Sequence, residues 1–282
     1  MSIAHGPMLE MIYAQPARAD DADNPLQRFA TSPFPKHIAA DFEKRFDVRG
    51  LEVWGMTEAN IPIWNSLDEP LHPGCTGRQI SDRYEIRLVD PETDREVAVG
   101  TAGEIVVRSR LPWTLMQGYF GMPEATLNAW RNLWFHTGDL AYQDPEGRYY
   151  FVDRLGDRIR RRAENISSYE IECAALLHPQ VVECAAVGVP SEFASDDDIK
   201  LVVVGKTGEA PDPLALLDHL ACRLPHYMVP RYIEILNALP RTPTNKVRKS
   251  VLRQSGVGPE TWDRKAAGVD LRALVESTRD RI

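Results

Sequence analysis

Residues 152–159, VDRLGDRI, mark a change of pattern in the chain. On their C-terminal side, strand-like and helix-like segments alternate. GRYYFVDR (147–154) reads as a strand, and DRIRRR (157–162) as a further short one. SSYEIECAALLHP (167–179) reads as a helix. Ser167 and Glu170 form an S-x-x-E capping box, with Ile171, Ala174 and Ala175 behind it. VVECAAVGVP (181–190) and IKLVVVGK (199–206) are largely apolar runs that read as buried strands. PLALLDHLACRLP (213–225) is a helix bounded by prolines, and RYIEIL (231–236) is another strand. This alternation predicts a compact α+β domain, with its boundary near Asp153–Asp157. The expected division is 1–153 and 154–282.

Toward the N-terminus the texture differs. YEIRLVD (84–90) and GEIVVRS (103–109) are short strands separated by the turn-rich DPETDREVAVGTAG. LEVWGMTE (51–58) is a short strand running into a turn, and KHIAADFEKRF (36–46) is an amphipathic helix with Ile38, Ala39, Phe42 and Phe46 on one face. These short, Gly-punctuated strands predict a small barrel or an antiparallel sheet, so the whole chain reads as mixed α/β of the α+β type. PARADDADNPLQ (16–27) reads as an exposed loop. IAHGPMLEMIYAQ (3–15) has helical apolar spacing at Ile3, Met8, Met11 and Ile12, a stripe that needs a packing partner.

Composition excludes several classes. The 282 residues are 43% hydrophobic and 26% charged, with a net charge of −8, which disfavours a general nucleic-acid binder. No apolar run approaches the roughly 18 residues of a membrane span, and residues 1–21 lack the pattern of a secretory signal. A cytoplasmic location is the expectation. Cys75, Cys173, Cys184 and Cys222 show no paired spacing that would indicate zinc or a disulfide framework.

Four segments carry chemistry in combination: WGMTE (54–58), HTGD (136–139), VDRLGDRI (152–159) and LPRTPTNKVRK (239–249). In this order and spacing they resemble the adenylate-forming superfamily, which includes acyl-CoA synthetases, peptide-synthetase adenylation domains and luciferases. The text from QPARADDADNPLQ to FEKRF is most similar to the crotonobetaine/carnitine-CoA ligase branch. The resemblance runs from about residue 3 to residue 254. It implies that a carboxylate attacks the α-phosphate of ATP to give an acyl-adenylate, and that a thiol, usually of CoA, then displaces AMP. Negative charge develops on a crowded phosphate, so positioned cations are the main catalytic device.

The same resemblance assigns roles. Thr57 bonds the α-phosphate and Glu58 holds Mg²⁺, Gly55 lets the backbone approach the nucleotide, and Trp54, where relatives commonly have Tyr, stacks on adenine. Asp139 accepts hydrogen bonds from the ribose diol. Arg154 contacts ribose and phosphate, Asp157 is the hinge between two domain orientations, and Lys246 is the cation of the adenylation step. His136 is a neighbour without a catalytic role. The fold implied is the end of a large AMP-binding domain followed by a lid.

Three departures matter. No Gly/Ser/Thr-rich loop ending in Pro-Lys, the family's grip on the β- and γ-phosphates, is found in the sequence. Since intact relatives are about twice as long, the resemblance implies a C-terminal half: a fragment, a truncated product, or one part of a split enzyme, inactive alone. Asn245 stands where relatives have Gly before the lysine, and tolerates the left-handed region. Where relatives have Gly-Gly before Glu-Asn-Ile-Ser, this chain has Arg162-Ala163. Arg162 either obstructs the pantetheine channel or folds outward to meet a CoA or carrier-protein phosphate. The acceptor is thus CoA or carrier-bound pantetheine, and a non-catalytic nucleotide-binding or docking half is the competing reading. Arg158, Arg160, Arg161 and Arg162 form the strongest basic cluster.

Overall fold

The computed structural model describes residues 2–66, 68–79, 82–161, 164–192, 196–206, 211–242, 246–271 and 274. The chain divides into two compact units, Met1–Leu155 and Gly156–Ile282.

In the first unit, β1 (Ser2–His5) leads into α1 (Gly6–Tyr13), followed by β2 (Arg28–Ser32), α2 (Ala39–Phe46), β3 (Arg49–Met56), β4 (Asn60–Trp64) and β5 (Arg78–Gln79). These strands form one five-stranded sheet in the order β1-β2-β3-β4-β5. β1, β2 and β3 run parallel, and β4 and β5 antiparallel. Phe29 from the sheet packs on Phe34 and on Phe42 of α2, so the predicted amphipathic face of α2 closes this core.

The rest of the unit is a four-stranded antiparallel sheet in sequence order: β6 (Tyr84–Val89), β7 (Gly103–Ser109), β8 (Phe135–Gln143) and β9 (Tyr149–Arg154). The helix α3 (Pro123–Ala129) lies between β7 and β8 in sequence and buries none of its residues fully. The predicted alternative of a barrel is not realised: among the described residues the sheets stay open. Ile105 and Val107 of β7 meet Tyr84, Leu88, Ala141, Trp54 and Ile63 in a common core. The N-terminal stripe is corrected in two ways. Residues 2–5 pair with β2 as a strand, and Ile3, Met8, Met11 and Ile12 lie on the exposed side, while Leu9 is the large apolar side chain of α1 that is buried.

The second unit begins with the hairpin β10 (Ile159–Arg161) and β11 (Glu164–Ile166), then α4 (Ser168–Leu176), β12 (Val181–Pro190), β13 (Asp197–Gly205), α5 (Pro213–Ala221), β14 (Tyr232–Ile235), α6 (Lys249–Gln254) and β15 (Trp262–Asp263). The Ser167 side chain accepts the Glu170 N–H, the predicted cap of α4. The Asp212 carboxylate caps α5 in the same way, just before Pro213.

The long apolar runs of β12 and β13 have a direct cause. Their antiparallel register sets Ala186 opposite Leu201 and Ala185 opposite Val202. Ala186 and Leu201 join Ile171 of α4 and Leu216, Leu217 and Leu220 of α5 on one face. Ala185 and Val202 join Leu252 of α6 on the other. A sheet covered on both faces needs apolar residues at consecutive positions. Among the described residues no helix is long and apolar enough to cross a membrane.

Candidate active site

Three of the predicted nucleotide residues meet in the first unit. β8 and β9 place Asp139 and Arg154 directly opposite each other. Trp54, near the end of β3, donates its indole Nε1–H to Asp139 Oδ2 at 2.9 Å. Arg154 Nε lies 3.5 Å from Asp139 Oδ1, its side chain largely exposed while the aspartate is not. Burial pushes the Asp139 carboxyl above the ordinary aspartate range, and the Trp54 hydrogen bond and the Arg154 charge pull in the other direction. Asp139 is thus an acceptor oriented by one hydrogen bond and one ion pair. The indole of Trp54 is buried in the core shared with Ile63 and Tyr84.

The backbone around Asp139 is fixed by a carboxylate that sequence reading did not single out. Glu104 Oε1 accepts the Gly138 N–H at 3.0 Å, and its Oε2 lies 2.8 Å from His136 Nδ1. Arg131 Nη2 approaches the same His136 nitrogen at 2.9 Å. Gly138 has φ of 71°, a backbone state glycine reaches without a Cβ penalty. Thr137 Oγ1 donates to the Ile105 carbonyl and accepts the Asp139 N–H. The one available signal for Glu104 is an acidic residue at the start of an apolar strand, GEIVV, where burial demands a partner. His136 is buried here as part of the scaffold.

The WGMTE turn is held from another side. Tyr119 O–H donates to Glu58 Oε1 at 3.1 Å, and the Met116 N–H donates to the Glu58 carbonyl at 2.8 Å. Glu58 Oε2 receives no hydrogen bond or ion pair from the described residues. Thr57 is exposed beside it. Gly55 has a packing reason of its own: a Cβ there would lie 2.1 Å from the Asn60 carbonyl oxygen, across the β3–β4 hairpin. Tyr119 escaped the sequence reading because nothing local pairs it with a residue 61 positions away.

Asp157 and Lys246 belong to the second unit. Arg253 Nη2 bonds Asp157 Oδ1 at 3.1 Å and the Gly156 carbonyl at 2.8 Å. Lys246 is exposed. Its N–H donates to Thr242 Oγ1 and its carbonyl accepts the Thr242 N–H, so the backbone is tied while the ammonium takes no partner among the described residues. Arg162, Ala163 and Asn245 lie outside the described residues. Among the described residues no group of three or more His, Cys, Asp or Glu is placed to hold a metal.

Known proteins arrange these same segments. Residues 3–120 match the AMP-binding enzyme family, and residues 170–246 match the AMP-binding enzyme C-terminal domain. A crotonobetaine/carnitine–CoA ligase of Proteus mirabilis is 33% identical over 261 residues, covering 87% of this chain and 48% of the relative. The Salmonella typhimurium enzyme of the same description is 30% identical over 248 residues, with the same coverage. Among solved structures, ATP-bound MatB from Rhodopseudomonas palustris superposes with a TM-score of 0.77 at 28% identity, covering 90% of this chain and 50% of that one. The anthranilate CoA ligase AuaEII in complex with anthranoyl-AMP gives 0.76 at 25% identity, covering 90% and 48%. The chain thus spans about half the length of the relatives it matches. With both family domains matched in their expected order, it belongs to the AMP-binding enzymes and corresponds to their C-terminal half.

Proposed function

We propose that this chain is the C-terminal part of an ATP-dependent, AMP-forming acid–CoA ligase, supplying the ribose and α-phosphate wall in its first unit and the adenylation lysine in its second. The observation that carries this is the Asp139 carboxylate, buried on one side and oriented by Trp54 and Arg154. An ionised carboxylate can accept two hydrogen bonds from a vicinal diol, and only the indole N–H bonds this one in the structure. Arg154, mostly exposed, is free to turn its fork toward a phosphate. Thr57 adds a hydroxyl donor at the tip of the adjacent turn.

Glu58 suits Mg²⁺ in one respect that the structure supports: one oxygen is oriented by Tyr119 and the other is open. Mg²⁺ typically takes one or two protein carboxylates, with water and substrate phosphates completing its shell, so a single glutamate is sufficient. When bound, the ion would neutralise phosphate charge.

In this reading Asp157 is the pivot between the two half-reactions, and the exposed Lys246 ammonium approaches the carboxylate and α-phosphate during the first. CoA is the acceptor, following the relatives' names; Arg162 and Ala163 remain the proposed lining of the thiol channel. The chain alone is inactive, because its sequence has no loop for the β- and γ-phosphates. The direct test is pyrophosphate–ATP exchange over a panel of carboxylic acids, measured for the chain alone and for the chain joined to the N-terminal half of a matched relative. Exchange is expected only in the joined protein and is lost in its Lys246→Ala variant. Full exchange in that variant, or robust acyl-CoA synthesis by the 282 residues alone, overturns the reading.

A further inference from the structure

The strand pairing of the first unit is interrupted at the proposed ribose carboxylate. β7 and β8 are in register where Glu104 faces Leu140, and again where Val106 faces His136. Between those pairs β7 has a single residue, Ile105, while β8 has Thr137, Gly138 and Asp139. Extra residues on one strand make a bulge, which re-aims a side chain at the cost of ladder hydrogen bonds. Asp139 closes this bulge. Its direction therefore depends on what takes up the backbone groups that the ladder has lost.

Two side chains take up its amides. Glu104 Oε1 accepts the Gly138 N–H at 3.0 Å. Thr137 Oγ1 accepts the Asp139 N–H at 3.1 Å while donating to the Ile105 carbonyl at 2.7 Å. The Gly138 carbonyl accepts the Leu155 N–H at 2.7 Å. Glu104 is 3% exposed, and its second oxygen is engaged as well: Oε2 lies 2.8 Å from His136 Nδ1 and 3.7 Å from Arg131 Nη2. Arg131 and His136 also approach the Asp94 carboxylate, at 3.6 and 3.9 Å. A buried carboxyl group engaged through both oxygens is held in one orientation, so it can act as a strut for the bulge.

We infer that Glu104 is a positioning residue that sets ribose selectivity: by holding the Thr137–Asp139 bulge it aims the Asp139 carboxylate at a vicinal diol, and without it the site no longer distinguishes a ribose from a sugar lacking both hydroxyls. The inference rests on the reading of Asp139 as the ribose acceptor. Its physical basis is angular. Hydrogen bonds from two adjacent hydroxyls require the carboxylate to be fixed in direction, because such bonds weaken steeply when misaligned. The Thr57 hydroxyl proposed for the phosphate stands on the β3–β4 turn, outside this bulge. Loss of the strut therefore falls on the diol contact first.

The test is calorimetric titration of the whole chain with two probes, AMP and the dideoxy analogue of AMP that lacks both ribose hydroxyls. The parent is expected to prefer AMP by about tenfold or more, because the analogue leaves a buried acceptor unpaired. Glu104→Ala is expected to cut that preference to about threefold or less, while affinity for the analogue stays within about twofold of the parent's. Glu104→Gln retains an oxygen for the Gly138 N–H and is expected to keep the preference within about threefold of the parent's. Thr137→Val removes the other support of the bulge; it is expected to lower the preference as well, and serves if Glu104→Ala does not fold. A merely structural role would weaken both probes together. Equal weakening of both probes in Glu104→Ala, or an undiminished preference in Glu104→Ala and Thr137→Val, overturns the inference. A parent that shows no preference for AMP overturns the reading of Asp139 itself, and this inference with it.

Discussion

The residues around Asp139 and the loop around Lys246 are built in opposite ways. Asp139 is buried, its side chain takes the Trp54 hydrogen bond and the Arg154 charge, and its backbone is clamped through Thr137, Gly138 and Glu104. Lys246 is exposed, with a tied backbone and an ammonium that reaches no described partner. The lesson is one of division of labour. A group that must recognise a diol gains from being fixed in advance, since alignment then costs nothing at binding. A group that must be present for one half-reaction and absent for the next gains from a long, unanchored stem.

The largest effect expected from this contrast is on catalysis. Lys246→Ala in the joined enzyme should lower pyrophosphate exchange by about 100-fold or more, as removal of a transition-state cation does, while AMP affinity stays within about twofold. A matching loss of AMP affinity, read by calorimetry, would make Lys246 a ground-state binding residue and erase the contrast. Next comes Asp139→Ala. It should weaken AMP binding by about tenfold or more in either the joined enzyme or the chain alone, because it removes the acceptor and orphans the Trp54 N–H. Unchanged AMP affinity with intact circular dichroism would remove Asp139 from the site.

The third test separates the units by pH. Burial raises the Glu52 carboxyl to about 8, with a Phe34 backbone N–H as the partial counterweight. The folded first unit therefore holds a proton that the unfolded chain, near 4.5, has released, and its stability falls as pH rises toward 8. In the second unit burial lowers His178 and His219, so the unfolded chain binds more protons and stability is lost as pH falls through the free-histidine range. Calorimetric melts should show the two transitions moving in opposite directions. Glu52→Gln should flatten the alkaline loss by about 1–3 kcal/mol. Parallel shifts would show that at least one of the two burial effects does not govern its unit. The smallest effect belongs to Trp54→Phe. Without the indole donor the Asp139 carboxyl rises further, so the acid limb of AMP binding should move to higher pH and affinity at neutral pH should drop several-fold. An unmoved limb would mean that the indole does not tune the carboxylate.

Strong local signals survived into the structure. The Ser167 N-cap of the predicted capping box, the amphipathic face of α2 and the apolar runs of β12 and β13 each follow from local sequence, and each formed as expected. Trp54, Asp139 and Arg154 could be grouped beforehand only by resemblance, because 85 residues separate the indole from the carboxylate it bonds. Tyr119 was invisible for the same reason, and Glu104 left only the weak signal of an acidic residue opening an apolar strand: their roles come from sheet register and from a loop folding back. The stripe at Ile3, Met8, Met11 and Ile12 misled because periodicity reports a face without telling which side is covered. β2 and β4 were also missed. Each is a short strand of mixed composition; β2 pairs with β3 about 20 positions on, while β4 folds straight back on β3 without a Gly-rich turn to announce the hairpin.

The bonds of Arg253 give the second unit a mechanical shortcut. Along the chain, Asp157 and Arg253 are 96 positions apart, yet a single guanidinium joins them and also grips the Gly156 carbonyl. Arg253 lies on α6, the helix that begins just after Lys246. The helix that follows Lys246 in sequence is thus tied directly to the unit's first two residues, in addition to its packing on the sheet through Leu252.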